Sequence, residues 1–459
     1  MLGWGAPVGR LSARLLRVAV GGLVLALGLG ALARTGLAQP SGVPVVLISV
    51  DGMKPDYVLD ADALGLKIPT LRRLLAEGTH ARAVTGVLPT VTYPSHTTMV
   101  TGVAPARHGI HYNTPFDPFG KNQDGWMWYA DDIIVPTLWG VATRSGLVSS
   151  SVDWPVTVGA PITFNIVQYW RATTEDDHKL LEALSTPGLL DEAEKDLGRY
   201  PAGYIYTVEA DSQRAAFNAW ILEHKKPRFH TAYFSVLDEV QHATGPYSTD
   251  VFDTLEAIDS MIDQVWRAAR AADPRSIICV VSDHGFARYD HTVSVNVAFR
   301  QAGLIDVNAD GTLRDWRAFT YGPAVMLEDP SDGAARADTR AVLQALATDP
   351  ATGVVRVLDA DEVKRDGGFP GAAFVVGVRP GFAISARVDG PVVQPSDVGG
   401  THGLLRELTE MDATFIIAGP GIPTGRVLDR IDMRDIAPTL ATLMGVALPD
   451  AEGTDLLTP

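Results

Sequence analysis

The chain has 459 residues, of which 46% are hydrophobic and 20% are charged, so it can bury a large core and is not intrinsically disordered. Its 54 acidic residues outnumber 38 basic ones and give a net charge of −16, which argues against duplex nucleic acid as a partner. The single cysteine, Cys279, excludes an intramolecular disulfide framework and a cysteine-rich metal cluster, and its apolar neighbours predict a buried strand thiol.

The first 38 residues have the pattern of a secretory signal peptide. Three arginines at positions 10–17 precede an uncharged apolar run over residues 18–33, and small residues then offer a cleavage site after Ala38. Residues 1–38 contain four basic and no acidic side chains, so the mature chain, residues 39–459, has a net charge of −20. An uncleaved membrane anchor is the alternative, although sixteen apolar residues are short for a span. Cleavage would give an exported protein without stable membrane association, and one thiol without disulfides suits a bacterial periplasm.

The first predicted element of the mature chain is a strand over residues 45–50. Its near-continuous apolar run is typical of a strand buried on both faces of a parallel sheet, and Asp51 follows it directly. Helical patterns come next, at residues 71–78, at about 207–226 and at about 248–272.

Two later strands end in the same way as the first. A strand over residues 230–237 ends at Asp238, and a strand over residues 276–282 ends at Asp283. The alternation of strands and helices predicts an α/β fold with a doubly wound sheet and helices on both faces. Because open α/β sheets place their active sites at the carboxyl ends of the strands, we expect Asp51 and these two carboxylates to meet there.

The residues around these strand ends form a set typical of a metal site. Asp238 and His242 are four residues apart and would face the same way on a helix. His284 follows Asp283, and His402 lies in a glycine-rich segment. Three aspartates and three histidines suit zinc, and six ligands divided over two ions leave open positions for a substrate. The full set is Asp51, Asp238, His242, Asp283, His284 and His402.

Longer motifs make the sequence similar to a known family. They are DGMKPDY from Asp51, PTVTYPSH from Pro89, VTGVAPARHGI from Val100, residues 238–246, SDHG from Ser282, THG from Thr401 and DIAPTL from Asp435. In this order, over about residues 45–450, they resemble the type I phosphodiesterase/nucleotide pyrophosphatase family of the alkaline phosphatase superfamily. The resemblance implies an alkaline-phosphatase-like, mostly parallel sheet and a metal-dependent hydrolase.

The resemblance also implies which residues share each of two zinc ions. One ion would be held by Asp238, His242 and His402. The other would be held by Asp51, Asp283 and His284, together with the oxygen of the nucleophile.

The family pattern selects the nucleophile from two threonines in one motif. The catalytic threonine of the family precedes an aromatic–proline pair and lies 21 residues before an asparagine, and Thr92 has this relation to Tyr93 and to Asn113. Thr90 is then interpreted as a structural hydroxyl. A zinc-bound threonine oxygen is a good nucleophile, and Asn113 would donate its amide to a phosphoryl oxygen. Tyr93 matches the aromatic residue that the family has beside the nucleophile. It would either form a wall of the substrate-binding pocket or pack inside the protein.

Three other features have open interpretations. Residues 125–129 are rich in aromatic residues and would form a substrate-facing lid or, with greater weight, packing. Ser282, Arg288 and His291 flank the Asp283 motif as supporting groups or as ordinary loop residues. Residues of about 303–396 are rich in Gly, Pro and Asp and are predicted to form an inserted cap.

Together these features predict an exported two-zinc phosphodiesterase or nucleotide pyrophosphatase with a small-molecule diester or nucleotide substrate. Thr92 would form a phospho-threonine, which a zinc-activated water then hydrolyses.

An alkaline phosphomonoesterase with the same threonine and zinc set is the alternative. Such relatives add a Lys-x-Arg pair, and the only one between Asn113 and Asp238, Lys226 and Arg228, precedes a strand and so belongs at the opposite sheet edge. Asp153-Trp154-Pro155 instead resembles the pyrophosphatase branch. A sulfatase is disfavoured because its Cys- or Ser-x-Pro-x-Arg motif is missing, and a non-catalytic binding protein because the ligand set is complete.

Overall fold

The apolar runs form strands and the amphipathic segments form helices in a computed structural model, which describes residues 42–122, 125–171, 174–201 and 205–458. The predicted signal peptide lies outside these residues. The strands are β1 Val45–Val50, β2 Thr79–Thr85, β3 Ser149–Val152, β4 Phe164–Ile166, β5 Phe229–Phe234, β6 Ile277–Val281, β7 Ala287–Val293, β8 Ile305–Val307, β9 Leu313–Trp316, β10 Ala318–Tyr321, β11 Ala324–Leu327, β12 Val354–Asp359, β13 Phe374–Val378, β14 Gly381–Ile384, β15 Val393–Thr401, β16 Phe415–Ala418 and β17 Arg426–Asp432.

The helices connect these strands. They are α1 Pro55–Leu59, α2 Ala61–Leu64, α3 Pro69–Glu77, α4 Thr92–Thr101, α5 Pro105–His108, α6 Leu138–Arg144, α7 Glu175–Leu184, α8 Leu189–Leu197, α9 Val208–Lys225, α10 Val236–Thr244, α11 Thr249–Ala272, α12 Val295–Gln301, α13 Gly333–Thr348, α14 Ala360–Arg365 and α15 Ile436–Met444. None of the helices in the described part of the chain has the length and apolarity needed to span a membrane.

Eight strands form the central sheet, in the order β17-β2-β16-β6-β1-β5-β3-β4. Neighbouring strands are parallel except where β16 pairs with β2 and β6. Val45 at the start of β1 is in register with Phe229 of β5 and Ile277 of β6. These three strands therefore run side by side and end at the same edge. The prediction of a mostly parallel α/β sheet is confirmed.

The sheet is buried on both faces, which explains its continuous apolar strands. Along β1, Val46 and Ile48 pack into one hydrophobic cluster with side chains of α9 and α11, whereas Leu47 packs into a second cluster with side chains of α6 and α15. Cys279 of β6 belongs to the second cluster and is fully buried, as predicted. Helices on both faces remove each side of the sheet from water.

One predicted boundary is wrong. The strand predicted over residues 230–237 ends at Phe234, and Asp238 lies in the first turn of α10, not directly after a strand. Val236 and Leu237 are as apolar as the strand before them, so hydropathy does not mark the change from strand to helix. The predicted helix geometry of Asp238 and His242 is confirmed, since both lie on α10.

The segment predicted as a cap has its own sheets. Within residues 303–396, β10, β11, β13 and β12 form an antiparallel sheet and β8 pairs with β9. Its buried side chains Phe374 and Leu343 belong to a hydrophobic cluster that also includes side chains of β7 and α12. Together with the rest of the described chain from residue 42 onward, this segment belongs to one compact unit. Its role as a cap stays a prediction.

Candidate active site

The predicted carboxylates and histidines meet at the carboxyl edge of the central sheet. Asp51 follows β1, Asp283 follows β6 by two residues, and Asp238 is brought in by α10 immediately after β5. His402 arrives from another direction, directly after β15, which is held in place by antiparallel pairing with β7. The convergence depends on the parallel register of β1, β5 and β6.

The first group of ligand atoms consists of Asp51, Asp283 and His284. The Nε2 atom of His284 lies 3.3 Å from Oδ1 of Asp51 and 3.2 Å from Oδ2 of Asp283. The other oxygen of Asp283 accepts a hydrogen bond from the backbone N–H of Gly52 at 3.1 Å. Gly52 has a φ of +68°, a left-handed conformation that favours glycine, so the turn after β1 holds this carboxylate in place.

The second group is centred on Asp238. Its Oδ2 atom lies 3.3 Å from Nε2 of His242, and its Oδ1 atom lies 3.6 Å from Nε2 of His402. The rings of His284 and His402 are stacked, with centroids 3.7 Å apart and planes at 8°. Ligand atoms of Asp238, His284 and His402 lie within 4.8 Å of one another, as do those of the first group. His284 thus lies between the two groups, while the family pattern assigns it to only one ion.

The three histidines are oriented in the same way. Each points Nδ1 at a backbone carbonyl oxygen, so Nδ1 carries the hydrogen and Nε2 is left to face the carboxylates. For His242, His284 and His402 the acceptors are the carbonyl groups of Gly400, Gly285 and Thr90, at 3.0, 3.1 and 3.0 Å. Metal-binding histidines are usually oriented by such an outer hydrogen bond.

Burial makes this cluster electrostatically unfavourable without a cation. Burial and the Asp283 and Asp238 carboxylates raise the pKa of Asp51 well above its ordinary value. Burial lowers the pKa of His284 to about 4 and that of His402 to about 3, which keeps both in the neutral, metal-binding form. Burial also acts to lower the pKa of His242, but the Asp238 carboxylate outweighs it and raises that pKa to about 9.

The donor set fits metal ions. Four buried atoms in this cluster have no hydrogen-bond partner among the described residues: Asp51 Oδ1, Asp238 Oδ1, Asp283 Oδ2 and His284 Nε2. Buried polar atoms are nearly always paired, so four of them facing one another indicate a missing positive partner. Carboxylate oxygens with neutral imidazole nitrogens are ligands that zinc accepts.

Thr92 lies at the start of a helix that points into the same site. It is the first residue of α4, a ten-residue helix that is buried along its whole length. The preceding residue, Val91, offers no side-chain cap. Helix N-termini favour negative charge because their first N–H groups are unpaired and the dipole is positive there. A phosphoryl group at Thr92 would therefore meet a favourable field.

Two neighbours of Thr92 have defined hydrogen bonds. The amide oxygen of Asn113 accepts the backbone N–H of Tyr93 at 2.9 Å, so its NH₂ group is the end available to a ligand. Thr90 is fully buried and donates its hydroxyl to the carbonyl oxygen of Leu404 at 2.9 Å. The Thr90 carbonyl also accepts a hydrogen bond from His402, so Thr90 supports the carboxylate–histidine cluster through its backbone.

The cavity in front of Thr92 has a volume of about 190 Å³ and a wall of aromatic rings. Its described lining residues are Asp51, Thr92, Asn113, Trp126, Trp170, Tyr206, Tyr233, Ser235, Asp238, Glu239, His242 and His402, and none of them is a lysine or an arginine. The rings of Trp126 and Trp170 are 5.5 Å apart, and Tyr206 stacks on Trp170 at 4.9 Å.

The substrate-binding role of Tyr93 stays a prediction. Its ring is fully buried and is not among the described residues that line the cavity, whereas Trp126 lines the cavity and packs against Tyr93 with centroids 5.3 Å apart. Residues 125–129 were predicted to form a substrate-facing lid or to pack. Trp128 is buried, whereas Trp126 lines the cavity.

The sequence did not reveal several residues of the site. Tyr233, in the middle of an apolar strand, donates a short hydrogen bond to Asp51. Trp170 and Tyr206 come from loops and had no signal of their own. Of the predicted flanking residues, Ser282 accepts the backbone N–H of Thr414 at 2.9 Å. Two others lie away from the cavity: Arg288 is exposed, and His291 contacts its neighbour Asp290.

The Lys-x-Arg pair lies at the other end of the sheet. Lys226 and Arg228 precede Phe229, the first residue of β5, whereas the site lies beyond the last residue of that strand. Arg228 donates to the carbonyl oxygen of Gly42, which precedes β1 at the same edge. A six-residue strand thus separates the pair from the cavity.

The chain is similar to known proteins. The model of the type I phosphodiesterase/nucleotide pyrophosphatase family matches residues 45–404. Ectonucleotide pyrophosphatase/phosphodiesterase family member 3 of Rattus norvegicus is 24% identical over 441 residues, which cover 90% of this chain and 42% of that protein. Venom phosphodiesterase of Naja atra is 25% identical over 261 residues, covering 53% of this chain and 26% of that protein. The chain thus spans less than half the length of these relatives.

A solved structure shows the same fold. Murine ectonucleotide pyrophosphatase/phosphodiesterase 5, as an inactive threonine-to-alanine variant in complex with AMP, aligns with a TM-score of 0.64 at 18% identity. The alignment covers 90% of this chain and 97% of that one.

Proposed function

The chain belongs to the type I phosphodiesterase/nucleotide pyrophosphatase family, a family of metal-dependent hydrolases, and on that premise we propose that it is an exported two-zinc phosphodiesterase acting through a phospho-threonine at Thr92. The observation that carries this proposal is the meeting of Thr92, Asn113 and the carboxylate–histidine cluster around one cavity. A hydroxyl nucleophile, a neutral donor and metal ligands are the parts that phosphoryl transfer requires.

Two zinc ions would be held by the two groups of ligands. Asp238, His242 and His402 would bind one, and Asp51, Asp283 and His284 the other. When bound, zinc would supply Lewis acidity to a phosphoryl oxygen and favour the deprotonated Thr92 hydroxyl. The four unpaired buried atoms in this cluster support the assignment of metal ions.

The residues of the chain would then perform the transfer. Thr92 Oγ would attack phosphorus, forming the threonine–phosphorus bond as the bond to the leaving alcohol or phosphate breaks. The NH₂ group of Asn113 would donate to a phosphoryl oxygen, because its other end is fixed by the N–H of Tyr93. Water would then cleave the phospho-threonine and regenerate Thr92. The inactive threonine variant of the murine relative supports a threonine nucleophile.

The lining of the cavity favours diesters over monoesters. A monoester carries one more negative charge, which needs additional donors or cations in the transition state. The described lining residues include no lysine or arginine, while Trp126, Trp170 and Tyr206 offer an apolar surface to the second substituent of a diester. AMP in the murine relative makes nucleotidyl esters suitable first substrates to test.

Hydrolysis of the 4-nitrophenyl ester of a nucleoside 5′-monophosphate, with zinc quantified in the same samples, tests this function. We expect turnover to disappear on chelation, to return with zinc, and to be lost together with bound zinc in His402→Ala. His291→Ala is the control, since His291 is a partly exposed histidine outside the cavity. Turnover that survives complete chelation, or the absence of turnover in fully zinc-loaded protein, would contradict the function.

Export is the remaining part of the proposal. Basic, apolar and small residues follow one another over positions 10–38, which is the order of a cleaved signal peptide. We propose secretion, into the periplasm if the host is a bacterium. The mass of the mature protein should correspond to a chain that starts at Gln39, and a full-length chain retained in the membrane would contradict cleavage.

A further inference from the structure

A buried ion cluster connects α9 with the residue that follows β3. On α9, the guanidinium of Arg214 lies 2.7 Å from Oδ1 of Asp211, and its Nε lies 3.2 Å from Oδ2 of Asp153, which follows β3. The exposed fraction of the Arg214 side chain is 1%, and those of Asp211 and Asp153 are 0% and 8%. Because the desolvation of buried ions offsets their mutual attraction, such a cluster is weak evidence for a role in stability alone.

Asp211 reaches the helix that carries two candidate metal ligands. Its second oxygen, Oδ2, accepts the backbone N–H of Val236, the first residue of α10, at 2.9 Å. Ser235, the residue before α10, provides no side-chain cap of its own. Asp211 therefore takes the place of the missing N-cap from a different helix. Asp238 and His242 follow on the same short helix, so their position depends on where its first turn is held.

Arg214 connects this cap to the segment before Tyr206 of the aromatic wall. Two of its N–H groups donate to the carbonyl oxygens of Pro201 and Ile205, both at 3.3 Å, and Ile205 directly precedes Tyr206. The guanidinium also compensates the charge of Asp211. Burial acts to lower the pKa of Arg214, but the two carboxylates outweigh it and keep the group charged.

We propose that Asp211 and Arg214 are positioning residues that set the metal affinity of the site by fixing the first turn of α10. This inference rests on the proposed function, because it requires that Asp238 and His242 bind a metal ion. Groups that orient metal ligands from outside the coordination sphere typically contribute 10–100-fold to metal affinity. Loosening the cap leaves α10 in the fold but widens the range of positions of its two ligands.

The chain contains a matched control at the start of another helix, α3. Asp259 of α11 accepts the backbone N–H groups of Thr70 and Leu71, at 2.9 and 2.7 Å, in the first turn of α3. Ile68, which precedes α3, likewise provides no cap, and Asp259 is also buried. Helix α3 carries no candidate ligand. Asp259→Asn therefore weakens a comparable cap on a helix that holds no part of the site.

The experiment compares zinc affinity in the wild type, Asp211→Asn, Arg214→Lys and Asp259→Asn. An asparagine has one acceptor oxygen where the aspartate uses two, so each Asp→Asn variant loses one contact without a change in size. Zinc is titrated into metal-depleted protein against a chromophoric chelator, and hydrogen exchange of the first turn of α10 is measured in the same samples.

We expect Asp211→Asn to weaken zinc binding about tenfold or more and to speed exchange in α10, with a smaller effect of Arg214→Lys. Asp259→Asn should lower the denaturation midpoint but leave zinc affinity within about twofold of wild type. Equal zinc affinity in Asp211→Asn and Asp259→Asn would overturn the inference. If Asp211→Asn fails to fold, wild-type zinc affinity in Arg214→Lys would overturn the inference.

The proposed function can fail separately. A wild type that binds no zinc would refute the proposed function, and unchanged hydrogen exchange in α10 of Asp211→Asn would then refute this inference separately.

Discussion

At the scale of single residues, the site depends on atoms held by their neighbours. Asn113 has one end of its amide fixed by the N–H of Tyr93, and His402 has its ring fixed by the Thr90 carbonyl. The two threonines of one motif thus differ in accessibility, since Thr92 lines the cavity and Thr90 is fully buried. Preorganised donors and ligands of this sort need no rearrangement when a substrate binds.

Replacing each threonine separately distinguishes these roles. Thr92→Ala should lower kcat on a diester by a factor on the order of 10³ or more, because the nucleophile is gone. Thr90→Ala should keep most of kcat but lower the denaturation midpoint, because the buried hydroxyl bonded to Leu404 is lost. Steady-state kinetics and denaturant unfolding measure both effects. A phosphopeptide that maps to Thr90 would contradict the assignment.

The aromatic wall has its own prediction. Trp126→Ala should raise KM for a diester with an aromatic or nucleoside substituent while changing KM little for a methyl ester of the same phosphate, because only a large substituent reaches the indole. KM measured on both esters tests it. Equal changes for the two esters would show that Trp126 acts on the position of Thr92 or Asn113 instead.

At the scale of elements, the site is assembled where α10 and β15 approach each other. A Cβ atom added at Gly400 would lie 2.3 Å from the carbonyl oxygen of Gln241, and one at Gly399 would lie 2.8 Å from that of His242. The glycines before His402 thus allow close contact between its strand and the helix of the other ligands. The sequence places His402 in a glycine-rich segment but does not indicate that this segment contacts α10.

Gly400→Ala tests this contact. The clash should lower the free energy of unfolding by about 1–3 kcal/mol and weaken zinc binding, since the Gly400 carbonyl also orients His242. Gly333→Ala is the control, because its Cβ would meet no atom within 4 Å. Chemical denaturation and zinc titration give the two quantities. Unchanged zinc affinity in Gly400→Ala would show that the contact does not orient the ligand.

The sequence predicted the elements better than their limits. Asp51, Asp283 and His284 were predictable because they lie within three residues of the ends of parallel strands, and the spacing of Asp238 and His242 suited a helix. The start of α10 was not predictable, because Asp211 on a different helix, α9, accepts the first N–H of α10. Contacts between distant segments leave no local pattern in a sequence.

At the scale of the whole molecule, a mostly parallel sheet buried on both faces leaves polar groups in its interior that must be paired internally. His230 of β5 is fully buried between Ser150 and Asn218. Asn218 uses its NH₂ group on a backbone carbonyl, so its oxygen accepts from Nε2 of His230, and Nδ1 accepts from Ser150. Both ring nitrogens of this buried histidine are thus paired while the ring is neutral.

Stability should therefore fall in acid. Burial lowers the pKa of His230 to about 3, whereas the unfolded chain has a histidine pKa of about 6.5. The unfolded state binds the proton first, so this residue removes about 1.4 kcal/mol of stability per pH unit as pH falls from 6.5 toward 3. His230→Gln should show a shallower decline by that amount, measured by denaturant unfolding from pH 7.5 to 4.5. Parallel curves would contradict the buried neutral histidine.

The aromatic wall shows where prediction from sequence ends. Trp126, Trp170 and Tyr206 lie far apart in the chain and meet only because loops from different elements close over the sheet edge. The candidate ligand set was predictable from strand ends and motif order, whereas the aromatic wall depends on the packed molecule.

The ratio of kcat/KM for a nucleotidyl 4-nitrophenyl diester to that for 4-nitrophenyl phosphate, at one pH and one zinc content, tests the central claim most directly. Both substrates release the same leaving group, so the ratio isolates the second substituent and the extra charge. We predict a ratio well above one that requires Thr92, with both activities lost in Thr92→Ala. A clear advantage for the monoester, or diester hydrolysis that survives Thr92→Ala, would contradict it.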